Sequence, residues 1–162
     1  MALQAVWVHG NVVVPEAPGP WYFVNVDGNG WTDLLGLRRG WGVTYRGKES
    51  NWFHAPIATP VIVNGDRVQL QRVSVFYNIP AWTRSIITNI HVWDGPNRIH
   101  AMDNLRLNGS HAQYMEDGIN SWALPSSPWI YWGINIALRV QILDGVYTRV
   151  TFTTAGADFI TP

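Results

Sequence analysis

The sequence predicts an all-β protein, a single-domain antiparallel β-sandwich of jelly-roll type spanning residues 1–162. Three observations carry that expectation. Apolar and polar residues alternate over short runs, Gly, Pro, Asn and Asp break the chain about every eight to twelve residues, and no window sustains a 3.6-residue pattern.

The clearest alternation lies at 133–153. Ile134, Ile136, Leu138, Val140 and Ile142 hold alternate positions, with Asn135, Ala137, Arg139 and Gln141 between them. After Asp144-Gly145 a second run places Val146, Val150 and Phe152 on alternate positions around Thr148. A two-residue turn would put the second apolar set on the wrong face. A three-residue loop, Leu143-Asp144-Gly145 with Gly145 left-handed, pairs Ile142 with Val146, Leu138 with Val150 and Ile136 with Phe152. The expectation is a hairpin.

The other elements follow in chain order. Residues 3–9 read as a strand with apolar residues on both faces, and 12–14 stay extended up to Pro15. Three prolines within 15–20 exclude a helix there. Short strands are expected at 22–26, 40–46 and 51–54. Asn64-Gly65 between 61–63 and 67–77 marks a second hairpin, Asn-Gly being the strongest short turn signal. Within 67–77 the apolar phase slips from Val68 and Leu70 to Val73, Val75 and Tyr77, so a β-bulge is expected near Gln71-Arg72. Residues 85–93, closed by Asp94-Gly95-Pro96, make the next strand; 98–107 and 119–124 are shorter candidates, and 111–117 one helical turn.

Composition narrows the function classes. A chain of 162 residues can bury a core without staples. Charged residues are 14%, the net charge is zero and Lys48 is the lone lysine, so neither a nucleic-acid footprint nor a basic membrane-binding face is present. Cysteine is absent, which removes disulfides and thiolate metal sites. Without a basic n-region or a long apolar run, the expected location is the cytoplasm, with a non-standard export route as the alternative. Ten tryptophans are the compositional outlier.

Three stretches could carry function. In residues 27–33, Asp27, Asn29 and Asp33 offer oxygen ligands around glycines, as a calcium loop would. Trp31 and Arg38 stand where further ligands belong, and Asp and Asn favour glycine turns on backbone grounds alone. His91, Asp94 and His100 are close in sequence and could serve a hydrolase, yet no nucleophile–base motif accompanies them. The aromatic residues are the third candidate. Tryptophans cluster near turns at 40–54 and 121–132, which nominates Trp41, Trp52, His54, Trp122, Trp129 and Trp132 as ligand-binding residues. An indole face covers the apolar side of a sugar ring while neighbouring polar groups bond its hydroxyls. The competing explanation is that these rings pack the ends of the sandwich or join subunits.

The blocks Gly40-Trp41-Gly42, Tyr45-Arg46-Gly47-Lys48, Asn51-Trp52-Phe53-His54, His91-Val92-Trp93-Asp94-Gly95 and Phe152-Thr153-Thr154-Ala155-Gly156-Ala157-Asp158-Phe159 resemble those of a family of short uncharacterised bacterial all-β proteins, a domain of unknown function. The stretch Thr59-Pro60-Val61-Ile62-Val63-Asn64-Gly65 belongs to the same pattern, which covers most of the chain beyond about residue 35. The resemblance implies one domain and brings no activity, cofactor or catalytic residue. The expected function is non-enzymatic, lectin-like carbohydrate binding through tryptophan-rich loops. The alternative is a structural protein that self-assembles into a homo-oligomer through its aromatic surface.

Overall fold

Alternating runs need a partner layer to bury their apolar face, and here two antiparallel sheets supply it for each other. The structure is a computed structural model that describes residues 2–17, 21–23, 37–80, 84–143, 145 and 148–161. In chain order the strands are β1 (Ala2–His9), β2 (Val14–Pro15), β3 (Trp21–Phe23), β4 (Leu37–Arg39), β5 (Gly42–Gly47), β6 (Asn51–Pro56), β7 (Ile62–Val63), β8 (Asp66–Arg67), β9 (Gln69–Ile79), β10 (Ser85–Asp94), β11 (Asn97–Met102), β12 (Gly109–His111), β13 (Ser121–Ala123), β14 (Ile134–Ile142) and β15 (Thr148–Thr161). Gly10–Val12 forms a 3-10 turn.

The five-stranded sheet runs β11-β10-β14-β6-β2. The eight-stranded sheet runs β12-β9-β15-β5-β3, with β13 also on β9, β1 on β15 and β4 on β5. β7 and β8 pair as a separate two-stranded ribbon. Phe53 of the smaller sheet lies against Tyr45 and Phe152 of the larger, with ring centroids at 5.4 and 5.2 Å. Ile90, Val92, Ile136 and Leu138 join Val73, Val75, Tyr77 and Phe159 in the same core. The all-β sandwich is what the alternation predicts.

Two local expectations hold in detail. Asn64 and Gly65 take φ of 53° and 93°, the left-handed pair that a two-residue hairpin turn requires, and β7 pairs β8 across them. In β9 the pairing steps from Arg72↔Asp158 to Leu70↔Phe159, so Gln71 is the extra residue of a bulge. The bulge lets Leu70 and Val73 both face the core.

The hairpin expected across 133–153 does not form. β14 lies between β10 and β6 in the smaller sheet, and β15 lies in the larger one. Leu138 faces Ile90 and Phe53, and Ile136 faces Val92 and Ala55, where Val150 and Phe152 were expected. Both runs are inner strands, one in each layer. Gly145 is left-handed at φ 66°, as expected, but the strands on either side of it belong to different sheets. Alternation identifies a buried face and leaves the neighbour open. Nor is there a helical turn at 111–117. The buried Asn120 replaces it, donating to the His111 and Tyr114 carbonyls and accepting from the Glu116 N–H.

Candidate functional site

The outward faces of β10, β14 and β6 bring three rows into register. Asn89, Arg139 and Trp52 form the first, His91, Ala137 and His54 the second, and Trp93, Asn135 and Pro56 the third. Alternation sends these side chains out because Ile90, Val92, Ile136, Leu138, Phe53 and Ala55 occupy the inward positions. At the centre stands Ala137, the smallest side chain of the nine positions.

That small residue shapes the surface. β6 and β10 are two strand spacings apart, about 9.6 Å. The Trp52 and His91 rings nevertheless meet at 4.7 Å between centroids, tilted by 42°. Both must lean inward over Ala137, which is accordingly only 2% exposed. A bulkier residue would hold them apart. The result is an open trough of about 260 Å³ lined by Trp52, Trp93, His54, His91, Asn135 and Glu16 above Ala137.

One margin is a hydrogen-bonded chain. Asn135 Nδ2 donates to His54 Nδ1 at 3.0 Å, so the proton of the ring sits on Nε2, which donates to Glu16 Oε2 at 3.0 Å. Glu16 reaches this place because Asn51 pins the connector after β2. The Asn51 amide accepts from the Ala17 N–H and donates to the Ala17 carbonyl, while the Glu16 N–H donates to Trp52 O. On the other margin His91 Nε2 donates to Asp103 Oδ1 at 2.9 Å, and Asn89 Nδ2 donates to the same oxygen. The Asn89 and His91 hydrogen bonds hold the Asp103 carboxyl below the ordinary aspartate range. The trough therefore offers two indole surfaces beside His54 and His91, each of them held by a carboxylate.

Of the residues nominated from sequence, Trp52 and His54 meet here. Trp41 is half exposed on the other sheet, where it lines a separate cavity. Trp122 belongs to the core at 7% exposure, with its faces spent on packing and its indole N–H without an acceptor among the described residues. Trp129 and Trp132 are exposed on the segment after Pro128. The loop of Asp27, Asn29 and Asp33 lies outside the described residues.

The histidine trio is not brought together. His91 points outward, whereas His100 pairs with the inward-facing Val92, and burial lowers its pKa. The Asp94 carboxylate, 3% exposed, accepts from the N–H groups of Tyr131, Trp132 and Gly133, each at 2.8 Å, and thereby fixes that loop. Among the described residues no three His, Asp or Glu converge to hold a metal ion. No described helix is long and apolar enough to cross a membrane.

Glu16, Trp93, Asn135 and Ala137 were missing from the nominated set. The alternation already places Asn135 with Ala137, and His91 with Trp93, on single strand faces. What it lacks is the order β10-β14-β6 that makes those faces one surface. No curated protein and no solved structure matches the chain. A family model matches residues 1–153, reaching nearer the N-terminus than the sequence blocks and ending before residues 154–159; the chain belongs to that family, the family of unknown function DUF6623.

Proposed function

We propose that the protein is a non-enzymatic ligand-binding module, that its ligand is a carbohydrate, and that the trough over Ala137 is where it binds. The observation that supports this most is the pairing of Trp52 and Trp93 with the Asn135–His54–Glu16 chain. Indole faces cover the C–H side of a pyranose, and a fixed row of amide, imidazole and carboxylate meets its hydroxyls. A volume of about 260 Å³ falls below that of drug-sized sites, so the trough suits one sugar ring of a longer chain.

The test is a titration with a panel of oligosaccharides followed by tryptophan emission, on the wild type and on Trp52→Ala. A saturable shift with one sugar class, weakened at least tenfold by the substitution, is the expected result. A response unaltered in Trp52→Ala, or none across the panel, would count against the trough. Repeating the titration with calcium and with chelator decides whether Asp27, Asn29 and Asp33 contribute.

A second reading is self-assembly. Trp129, Tyr131 and Trp132 are all exposed, and so is Ile62, the cross-strand partner of Arg67. Their backbone is held by Asp94 and by the Ile130 N–H to Val68 O bond, and the Arg67 guanidinium lies 4.6 Å from the Tyr131 ring centroid. Rigidly presented aromatic residues are typical interface anchors. Light scattering that shows a multimer, converted to monomer by Trp132→Ser, would favour this reading.

A further inference from the structure

We propose that the outer face of the eight-stranded sheet carries a second ligand site, built around Trp41 and suited to an uncharged polyhydroxy ligand. It shares no residue with the trough, and the two open on opposite outer faces of the sandwich.

The site is assembled by an irregularity of β15. Pairing with β9 steps from Phe152↔Tyr77 to Thr154↔Phe76, which leaves Thr153 as an extra residue on the strand. Glycines from two directions press on this bulge. A Cβ on Gly10 would stand 2.1 Å from the Phe152 carbonyl oxygen, and one on Gly42 would stand 2.3 Å from it. Only glycine permits that approach. The turn between β4 and β5 is thereby seated against β15, and Trp41 at its tip lines the cavity beside Thr153. From the other side Thr153 Oγ1 donates to the Ala112 carbonyl at 3.0 Å and draws the segment after β12 to the same place.

Between these supports runs a row of hydrogen-bonding side chains. Ser110, Asn78, Thr151 and Thr44 face one another across β12, β9, β15 and β5. Ser110, Asn78 and Thr151, with Thr153, Gln113 and Trp41, line a cavity of about 430 Å³. Thr44 and Thr151 bond each other at 2.9 Å. No hydrogen bond to the described residues engages the side chains of Asn78, Ser110 or Gln113, so two amides and a hydroxyl stand available.

The lining selects the ligand class. It contains no ionisable side chain, so a phosphate, carboxylate or ammonium would enter without a counter-charge. The cross-strand pair Arg46 and Arg149 lies one outward position beyond Thr44 and Thr151 and is not part of the lining. A purely apolar ligand would bury the amides unbonded. A sugar meets both demands, with its hydroxyls on Asn78, Ser110 and Gln113 and its C–H face on the indole of Trp41. Two independent sites would let one chain bridge two polysaccharide strands.

The experiment is an NMR titration of the full chain, following the Trp41 indole N–H and the Asn78 side-chain amide. The probes are cellohexaose, xylohexaose, mannohexaose and maltohexaose, with oligogalacturonate as the charged competitor. Saturable shifts of both groups with at least one neutral oligosaccharide are expected, unchanged in Trp52→Ala and weakened at least threefold in the exposed-position variant Gln113→Ala. Silence across the neutral probes, shifts with oligogalacturonate alone, or loss of the shifts in Trp52→Ala would each overturn the proposal. Because Trp52 and Trp93 report the trough separately, failure there is distinguishable from failure here.

Discussion

Twice among the described residues a tryptophan lies across a small residue and meets a ring beyond it. On the larger sheet Trp7 crosses Gly156, its partner in register, and meets Phe76 edge-on at 5.5 Å. On the smaller sheet Trp52 leans over Ala137 and meets His91 at 4.7 Å. The device is the same and the surroundings differ. Phe76 is 8% exposed beneath the Trp7 ring, so that crossing closes an apolar patch. Around Trp52 the neighbours are His54, Asn135 and Glu16, and the crossing borders a groove. A tryptophan over a small residue is thus a packing solution by default. A fixed polar margin beside it is what sets the groove over Ala137 apart from such packing.

Substitutions at the two small residues should split the comparison most widely. A Cβ on Gly156 would lie 2.5 Å from two ring atoms of Trp7. Gly156→Ala should therefore cost about 1–3 kcal/mol through overpacking, read as a lower Tm, and leave ligand affinity unchanged. Ala137→Leu should do the reverse. Its side chain faces outward and pushes Trp52 off His91, so affinity should fall more than tenfold, while rings that border solvent can swing aside and hold the stability cost to about 1 kcal/mol, the low end of overpacking. Equal effects of the two changes on binding would dissolve the distinction.

The margin itself should matter less than the rings. Asn135→Ala removes the donor to His54 Nδ1 and frees the ring to change tautomer. A three- to tenfold loss of affinity is expected in the same titration, about 0.7–1.4 kcal/mol. No loss would reduce the Asn135–His54–Glu16 chain to decoration.

The smallest effects are in the pH dependence of stability, and core and margin should part there too. Burial raises the Tyr45 pKa to about 12 from 10.0, with Arg38 opposing. Its neutral hydroxyl donates to the Val13 carbonyl inside the core. The native state thus holds this proton more tightly than the unfolded chain. Its contribution is complete below pH 10 and is lost as the pH rises toward 12. Asp103 runs the other way. Its pKa is lowered from 3.8, so its contribution is present above that value and is lost as the pH falls below it. Tm measured against pH should show a weakened acid limb alone in Asp103→Asn and a weakened alkaline limb alone in Tyr45→Phe, where buried Tyr77, its pKa also raised, keeps the remainder.

Which parts of this were legible beforehand follows from the range of each interaction. Asn64-Gly65 and the phase slip at Gln71 are local events, decided by φ preference and by which residues face the core, and both read correctly. The pairing of β14 is a choice among distant partners. Its apolar positions suit Val150 and Phe152 as well as they suit Ile90 and Phe53, and the nearer pair in sequence lost. The site inherited that blindness. Trp52 and His54 stand out by residue type, but Ala137 looks like filler until β6 and β10 are known to flank it. Glu16, 38 residues before His54, has no local signal at all.

If ligand sits in the groove above Ala137, filling that groove abolishes binding. Isothermal titration of wild type and Ala137→Leu with the oligosaccharide selected from the panel tests it most directly. The wild type should bind saturably, and the variant, still melting cooperatively near the wild-type Tm, should not bind. Undiminished binding by folded Ala137→Leu would contradict it.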